Sequence, residues 1–262
     1  MRQIKFLVIA LTLFMGISLT SCLNGENNTI QPVWGVLTLK NTMPYVFQVD
    51  GTKLTYTCNS LSVTGLSSDA MPGDIVFLNA QYDTKTQPVD QNTTNINIEV
   101  NYAEKINSNA RASLQDEAPN RSIIPLSNIG NGLVSASMYT KDWLIFPIPF
   151  FAEKAETIKL HRFVMWYDEA NTDNSATKMV LRLRHISDEQ KPDAERGIVT
   201  TYKAFNIAPL LAQFAAKYDG KPTTIKVITQ EIAGTNPEIK PDSDIEYREN
   251  SYTISYKEFT KN

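Results

Sequence analysis

The histidines and cysteines of the chain set narrow limits on the chemistry it can perform. Only two histidines occur, His161 and His185, so a three-histidine metal site is impossible. Each of them stands in an apolar, strand-like run, where packing or a hydrogen bond is its ordinary role. The 262 residues contain no G-x-S-x-G, G-x-x-x-x-G-K-[ST] or H-E-x-x-H pattern. We therefore expect a protein that is not an enzyme and that uses no cofactor.

Two arginines and two tryptophans are the residues best suited to contact a ligand. The run LRLR at residues 181–184 alternates apolar and basic side chains, so both arginines of a strand would face solvent. Paired guanidinium groups can bind carboxylates or anionic sugars, although a solvated sheet face explains them equally well. Tryptophans could offer stacking surfaces for sugars, but aromatic residues in strands pack mainly in the core. The possible ligand contacts are Arg182, Arg184, Trp143 and Trp166.

An oxygen-rich loop offers a candidate for a cation site. Its five residues with side-chain oxygens are Asp168, Glu169, Asn171, Asp173 and Asn174. Such ligands bind Ca²⁺ in extracellular modules, but the spacing lacks the glycine and the distal glutamate of an EF-hand loop. A plain hairpin loop is the favoured interpretation, and we predict no metal site.

Residues 1–21 read as an export signal that is cut before a cysteine, Cys22. Residues 1–21 contain Arg2 and Lys5, then an uncharged apolar run over residues 6–19, and Cys22 follows Leu-Thr-Ser. A short apolar core behind a positive end is typical of a secretory signal peptide. The ending resembles the lipobox of bacterial lipoproteins, in which the cysteine thiol receives a diacylglycerol before cleavage. The alternative is an ordinary signal peptide with a chance cysteine.

Lipid on Cys22 would make membrane attachment effectively permanent. Each buried methylene of an acyl chain, such as palmitate, contributes about 0.8 kcal/mol. We therefore predict a protein anchored in the cell envelope through Cys22, at the outer membrane, with its periplasmic or surface orientation left open. Residues 22–32 are polar and rich in Asn, and we expect them to form a flexible tether.

The mature chain is mildly acidic. The leader holds two of the 25 basic residues and none of the 28 acidic ones, which leaves a net charge of −5 with the histidines neutral. Nucleic-acid binding rests on clustered Lys and Arg, so we expect no nucleic-acid partner. Lipid on one of the two cysteines leaves Cys58 without a partner for an internal disulfide. We expect Cys58 to be a small buried strand residue.

Residues 33–105 read as five short strands that suit a small closed barrel. Asp50-Gly51 lies between two strand-like runs and predicts a hairpin with a type I′ turn, in which both central residues have positive φ. The tetrapeptide Met-Pro-Gly-Asp at residues 71–74 predicts a second turn. Closure into a barrel would remove exposed strand edges.

The second half of the chain also reads as strands. Residues 106–135 lose the pattern and are predicted to be a linker, and residues 136–262 resume it. Pro147 and Pro149 interrupt an apolar run, which must therefore be an edge strand or a bulged entry. A short helix is predicted over residues 208–218, with a proline in its first turn. Six or seven strands with turn signals predict an antiparallel β-sandwich in an all-β chain.

With these features in order, the chain resembles the NigD-like lipoproteins. The resemblance rests on SCLNGE at residues 21–26, on FQVDGTKLTY and PGDIVFLNAQYD in the first half, and on WLIFPIPFFA, HRFVMWYD and LRLRHISDE in the second half. It implies a lipobox, a small OB-like barrel and a C-terminal β-sandwich, and it supplies no catalytic residues. The acidic run that often follows the cysteine in this family is reduced here to Glu26. The family is named from a bacteriocin gene cluster, so the resemblance also suggests an immunity role.

Two functions are compatible with the sequence. The first is a non-catalytic binding or interaction module of the cell envelope, with an unknown envelope protein slightly favoured over a glycan as its partner. The second is a bacteriocin-immunity-like protein that protects the envelope. Exposed aromatic patches would favour a glycan, and a broad apolar patch with a polar rim would favour a protein.

Overall fold

The computed structural model describes residues 29–111, 121–126, 135–152, 155–188, 197–233 and 246–256. Cys22, the predicted signal peptide and most of the predicted tether lie outside these residues. Strands dominate the described chain and one α-helix accompanies them, which confirms the predicted all-β fold. None of the described helical segments has the length and apolar character needed to cross a bilayer. The chain divides into two compact units between Lys105 and Ile106.

The first unit is a sheet of short strands around one long strand. Its strands are β1 (Ile30–Thr42), β2 (Tyr45–Gln48), β3 (Thr55–Cys58), β4 (Ile75–Asp83), β5 (Asn95–Asn97) and β6 (Glu99–Lys105). Their order in the sheet is β5-β3-β2-β1-β4-β6. Residues 30–32 were expected in the tether, but they pair with β4 and belong to β1.

The first unit closes into a barrel through one interrupted strand. β5 pairs in parallel with β3, and β6 pairs antiparallel with β4, so the two edges of the sheet are neighbouring segments of the chain. Only Ile98 separates them, and its N–H donates to the carbonyl of Thr57 at 2.9 Å. Together β5 and β6 act as a fifth strand that joins both edges. This closure is the OB-like barrel that the sequence predicts.

Alternating inward positions of these strands fill the barrel. Its most buried apolar residues include Leu39, Phe47, Tyr56, Cys58, Leu78 and Ala103. Cys58 is 1% exposed and lies in β3, which confirms that it is a buried strand residue. Burial raises the pKa of the Tyr56 phenol well above its usual value, so this ring packs in its neutral form.

The Asp50-Gly51 hairpin is present, but its turn differs from the prediction. Six residues rather than two separate β2 from β3. The N–H of Thr52 donates to the carbonyl of Val49 at 3.2 Å, and only Gly51 of the two central residues has a positive φ, +71°. This is the pattern of a type II turn, so the predicted type I′ turn is wrong. A six-residue loop does not require the turn to match the strand twist, which is what selects type I′ in a two-residue loop.

The second predicted turn, before β4, is confirmed. The N–H of Asp74 donates to the carbonyl of Met71 at 3.1 Å, and Gly73 takes a positive φ of +99°. The Asp74 carboxylate accepts a hydrogen bond from the N–H of Met71 at 2.8 Å and pairs with Lys105 at 3.0 Å. The turn is therefore tied to the last strand of the barrel.

The second unit is an eight-stranded sheet that curls until it is nearly closed. Its strands are β7 (Asn107–Arg111), β8 (Ser137–Met138), β9 (Trp143–Ala152), β10 (His161–Tyr167), β11 (Lys178–Ser187), β12 (Gly197–Asn206), β13 (Thr224–Ile232) and β14 (Tyr247–Ser255). Their order is β14-β13-β11-β10-β7-β12-β9-β8, and the two end strands, β14 and β8, lie close together. The inner face forms one core, which includes Phe146, Phe150, Leu181 and Val227.

Parallel pairs make this sheet mixed, whereas the sequence predicts an antiparallel one. β11 and β13 are parallel because the chain between them passes through β12 and a helix, α1 (Ala208–Tyr218), before it returns to the sheet. β7 is parallel to both of its neighbours, β10 and β12. Parallel pairing requires such long connections, which single-strand patterns do not reveal.

The segment predicted as a linker contains a central strand. β7 (NSNAR) lies between β10 and β12, in the middle of the eight-stranded sheet. Further on, Ile123 and Ile124 are buried, and the N–H of Ile123 donates to the carbonyl of Gln230 at 2.9 Å. The polar side chains of β7 hide it from a search for apolar alternation. The linker predicted for residues 106–135 is therefore wrong where it covers β7.

The two prolines of β9 lie where its outer side is not covered by a full partner strand. β8 pairs only with Leu144 and Ile145, and beyond them the carbonyl of Pro149 accepts the N–H of Ile124 at 2.8 Å. The backbone N of Pro149 faces the same side, and so does that of Pro147 two residues away. Neither proline removes a hydrogen bond to β12. β9 itself is not an edge strand, because it lies between β12 and β8, but its two prolines lie beyond the short β8, where no partner strand among the described residues covers this side.

The helix α1 occupies the predicted range. At its N-terminus, the N–H of Ala208 donates to Oδ1 of the Asn206 side chain at 3.1 Å. Leu210, Leu211 and Phe214 are its buried residues, and they join the core of the second unit. The helix thus covers part of this core and carries the chain from β12 to β13.

Candidate functional site

The candidate binding site is a cleft on the outer face of the eight-stranded sheet. In β11, Leu181 and Leu183 belong to the core, whereas Arg182 and Arg184 lie on the opposite face. This division confirms the prediction from the alternating sequence. β10 pairs antiparallel with β11 and places Trp166 directly opposite Arg182. Cross-strand partners in a sheet share one face, so the indole and both arginines lie on the same side.

The cleft has a volume of about 270 Å³ and is formed by four adjacent strands. Its lining residues are Trp166, Arg182, Leu183, Arg184, Ile228, Thr229, Gln230 and Glu249. β13 brings Ile228 beside Arg182, and β14 brings Glu249 opposite Gln230. Three of the four possible ligand contacts chosen from the sequence, Trp166, Arg182 and Arg184, thus meet in one cleft.

Arg182 is held by two carboxylates. Its Nε donates to Oδ2 of Asp168 at 2.7 Å, and its Nη1 donates to Oε1 of Glu249 at 2.5 Å. Burial works to raise the pKa of Asp168, but hydrogen bonds from Arg182 and Asn171 outweigh it and hold that pKa below its usual value. Burial likewise works to lower the pKa of Arg182, and its two carboxylate partners raise it. Arg182 is therefore a fixed part of the cleft wall.

Arg184, two residues along the same strand, has no such partners. The side chain is half-buried, and its Nε atom is inaccessible to solvent. Within the described ranges of the chain, this Nε has no hydrogen-bond partner and the guanidinium forms no ion pair. A buried donor without a partner costs roughly 1–3 kcal/mol, and more when it is charged. The cleft thus contains a guanidinium that has no ion-pair partner among the described residues.

Trp166 lies between cationic side chains of two neighbouring strands. β11 places Arg182 opposite it on one side, and β7 places Arg111 opposite it on the other side. Arg184 is its diagonal neighbour, because Val164 is the residue paired with Arg184. The indole is half-buried and lines the cleft, while Arg111 is exposed beside it.

Trp143, the fourth candidate, is not part of this group. It begins β9, which is separated from β10 by β7 and β12. It is half-buried, and its carbonyl accepts the N–H groups of Tyr139 and Thr140 at 2.8 and 3.3 Å. Trp143 therefore begins a strand on another part of the sheet.

The carboxylates of the oxygen-rich loop are engaged by cationic side chains. Arg182 binds Asp168, Lys217 lies 3.4 Å from Glu169, and Lys226 lies 2.5 Å from Asp173. Asn174, a further residue of this loop, joins it to β11, because its Oδ1 accepts the N–H of Val180 at 2.9 Å. These contacts are those of a plain hairpin loop. Among the described residues, no group of three or more His, Cys, Asp or Glu side chains could hold a metal ion.

The two histidines form a buried pair that the sequence does not reveal. Nδ1 of His161 lies 2.8 Å from Nε2 of His185, a distance at which one imidazole donates to the other. The Phe150 ring packs against both imidazoles, with centroid distances of 4.6 Å to His161 and 5.3 Å to His185. The Phe163 ring packs against His185, with a centroid distance of 4.7 Å. The prediction that each histidine is packed in a strand is confirmed. Their contact depends on the register of β10 and β11, which only the structure supplies.

A buried carboxylate is the second feature that the sequence does not reveal. Glu231 is fully buried, and it accepts hydrogen bonds from Thr229 at 3.0 Å, from Asn250 at 2.9 Å and from the hydroxyl of Tyr252. The Tyr252 oxygen also accepts the N–H of Leu126 at 3.3 Å. Burial, followed by the bond to Glu231, raises the pKa of Tyr252 well above its usual value. This group ties β13, β14 and residues 121–126 together.

A group of aromatic side chains lies on the outer face of the barrel unit. The rings of Trp34 and Phe77 meet edge to face, with centroids 5.2 Å apart. Both side chains are half-buried, and Tyr102 on the neighbouring strand β6 is 39% exposed.

Comparison with solved structures places the fold among proteins of Bacteroides species. A protein described as a "putative lipoprotein" from Bacteroides fragilis is similar over 87% of this chain and all of its own, with a TM-score of 0.66 and 17% identity. A protein of unknown function, DUF1344, from Bacteroides vulgatus is similar over 88% of this chain and 93% of its own, with a TM-score of 0.52 and 12% identity. At these identities the likeness shows a shared fold.

Comparison of the sequence itself finds no such relatives. No family model matches the chain, and no curated protein matches it. The resemblance to the NigD-like family therefore stays a prediction.

Proposed function

We propose that this chain is a lipid-anchored protein of the cell envelope that acts as a non-catalytic binding module through the cleft at Trp166 and Arg184. The observation that carries the proposal is Arg184. Its side chain is half-buried, lines the cleft and forms no ion pair among the described residues, so the terminal nitrogens of this guanidinium can pair with an anionic group of a ligand.

The residues of the cleft favour binding over catalysis. The guanidinium of Arg184 carries hydrogen-bond donors and no acceptor, so it can bind an anion but offers no site that takes up a proton. The indole of Trp166 offers a flat apolar face and a hydrogen-bond donor. Glu249 is paired with Arg182. These groups can orient a ligand without moving a proton.

The anchor is proposed on the sequence ending at Cys22. The description of the similar Bacteroides fragilis chain as a lipoprotein supports it. The test is mass spectrometry of the native protein, in which we expect an acylated cysteine as the first residue. Membrane fractionation of a Cys22→Ser variant should release the protein from the outer-membrane fraction. A mature protein that starts at another residue would contradict the anchor.

The binding role is tested with the full-length protein and two variants. Arg184→Gln removes the unpaired charge. Arg162→Gln is the matched control, because Arg162 is an exposed arginine of the same sheet that pairs with Asp188 at 3.3 Å. Immobilised protein would be probed with a glycan array and with envelope extract. We expect at least one retained component to be lost with Arg184→Gln and kept with Arg162→Gln. Identical retention by all three proteins would refute the cleft as the binding site.

A further inference from the structure

The charges around the cleft limit the kind of anion it can bind. Asp168 and Glu249 both point at Arg182, so the cation that remains available in the cleft is Arg184. The Glu249 carboxylate still lines the opening and would repel a second negative charge. A phosphate monoester carries a charge of about −1.5 to −2 at neutral pH. A single carboxylate, with one charge and a planar shape that fits the guanidinium fork, matches this cleft better.

The size and walls of the cleft limit what the carboxylate is attached to. Its volume of about 270 Å³ lies just below the usual range of roughly 300–1,000 Å³ for small-molecule pockets. This space suits one ring of a larger ligand. Trp166 and Ile228 form apolar surfaces, whereas Gln230 and Glu249 carry amide and carboxylate groups at the other side. A ring with an apolar face and several hydroxyl groups would satisfy both sides.

We infer that the cleft binds a saccharide that carries a carboxylate on its ring. In this arrangement the carboxylate accepts hydrogen bonds from Arg184, one face of the ring lies on Trp166, and ring hydroxyls donate to Glu249. Arg111, exposed on the far side of Trp166, adds positive charge along the direction in which a polymer would extend. This inference rests on the proposed function and names its ligand class.

For this cleft we favour a saccharide over a protein partner. A protein interface of standard size covers roughly 800 Å² per partner and has an apolar centre. The cleft instead is small and mixes one indole with charged and amide groups. An acidic peptide nevertheless shares the carboxylate chemistry, so it must be an arm of the test.

The test measures binding of defined compounds by isothermal titration calorimetry with the full-length protein in detergent. The acidic probes are oligosaccharides of galacturonate, of glucuronate and with terminal sialic acid. Each is matched by a neutral oligosaccharide of the same length. An Asp/Glu peptide and inorganic phosphate are the competing anions. We expect at least one acidic oligosaccharide to bind at least about ten-fold more tightly than its neutral match and than either competitor, because hydrogen bonds to a charged group are stronger than neutral ones.

Three variants connect the binding to the cleft. Arg184→Gln should weaken binding about ten-fold to a hundred-fold, and Arg184→Lys should restore part of it, because lysine keeps the charge but not the planar fork. Trp166→Leu should weaken binding of both acidic and neutral oligosaccharides, since it removes the ring surface. Arg162→Gln is again the control and should bind as the wild type does. Unfolding temperatures show that each variant is folded.

The outcomes separate this inference from the proposed function. If retention on the array or extract depends on Arg184 but no acidic oligosaccharide binds, the saccharide inference is refuted and the binding role stands. Preferential binding of the acidic peptide or of phosphate would likewise refute the saccharide inference and leave the binding role in place. If an acidic oligosaccharide binds equally to wild type and Arg184→Gln, both the inference and the assigned cleft are refuted.

Discussion

Nε of Arg182 lies 2.7 Å from Oδ2 of Asp168, a carboxylate in the loop between β10 and β11, two of the four strands that form the cleft. The pair joins β11 to the start of the loop that leaves β10. Arg184 occupies the next outward position of β11 without an equivalent partner in the described part of the chain. Two arginines with the same sequence pattern thus differ in their contacts: Arg182 pairs with two carboxylates, and Arg184 forms no ion pair among the described residues.

The first prediction concerns the substitution Asp168→Asn. It should lower the free energy of unfolding by about 1–2 kcal/mol at pH 7, because it removes a charge-assisted hydrogen bond of a mostly buried carboxylate. Urea unfolding measures this difference. Asp188→Asn is the control, since Asp188 forms an exposed ion pair with Arg162, and exposed pairs contribute about 0–1 kcal/mol. Equal effects of the two substitutions would contradict a structural role for Asp168.

The same pair predicts a dependence on pH. The pKa of Asp168 is below its usual value in the folded protein. Its contribution to stability is therefore complete above the pKa of the unfolded chain, about 3.9, and is lost as the pH falls through the lower folded value. The difference between wild type and Asp168→Asn should shrink steadily below about pH 4. A difference that stays constant down to pH 2 would show that the carboxylate charge is not involved.

The second prediction concerns the stability of an unpaired arginine. Arg184→Met should leave the free energy of unfolding unchanged or raise it by about 0.5–1 kcal/mol, because it removes a buried donor that has no acceptor among the described residues. Arg182→Met should instead destabilise the protein, since two carboxylates lose their partner. Thermal unfolding of both variants checks this contrast. Clear destabilisation by Arg184→Met would indicate a structural role for this guanidinium.

The third prediction concerns the buried group around Glu231. Tyr252→Phe removes the hydroxyl that donates to Glu231 and accepts the N–H of Leu126. We expect a loss of about 1–3 kcal/mol in the free energy of unfolding, because a fully buried carboxylate loses a donor. Tyr247→Phe, at a tyrosine of the same strand that is 49% exposed, is the matched control and should change little. Denaturant unfolding compares the two variants.

Features of the chain that depend on local pattern could be predicted from the sequence. The alternating LRLR run fixes which face of β11 carries its arginines, and Pro209 marks the first turn of α1. The choice of Trp166, Arg182 and Arg184 as possible contacts followed from residue type alone. That they line one cleft required the pairing of β10 with β11.

Features that depend on distant pairing could not be predicted. β7 has the polar sequence NSNAR, so its side chains do not show the apolar alternation that predicts a strand. It pairs with two parallel strands, β10 and β12, that are far away in the chain. Glu231 is an acidic residue in a strand whose pattern suggests only that alternate residues face inward. Its burial is possible because Asn250 and Tyr252 of β14 meet it across the pair. Such partners become visible only once the strand register is known.

The fourth prediction compares two glycines of the barrel unit that both have positive φ. Gly51 has φ +71° and open space where a Cβ would stand, whereas a Cβ on Gly65, with φ +84°, would lie 2.2 Å from Cε2 of Tyr102 and 2.7 Å from the carbonyl oxygen of Ala103. Gly51→Ala should therefore lower the free energy of unfolding by about 1 kcal/mol, from backbone strain alone. Gly65→Ala should lower it by more than about 2 kcal/mol, because strain and overlap add.

A double substitution separates the two sources of overlap at Gly65. The Tyr102 ring belongs to a side chain that can move away. The Ala103 carbonyl belongs to the backbone of β6, so it can move only if the strand itself shifts. Adding Tyr102→Ala to Gly65→Ala should therefore recover only part of the lost stability. Full recovery, measured by urea unfolding, would mean that the ring alone excludes a side chain here. Because β6 completes the closure of the barrel, we expect the unrecovered part to reflect displacement of this closing strand.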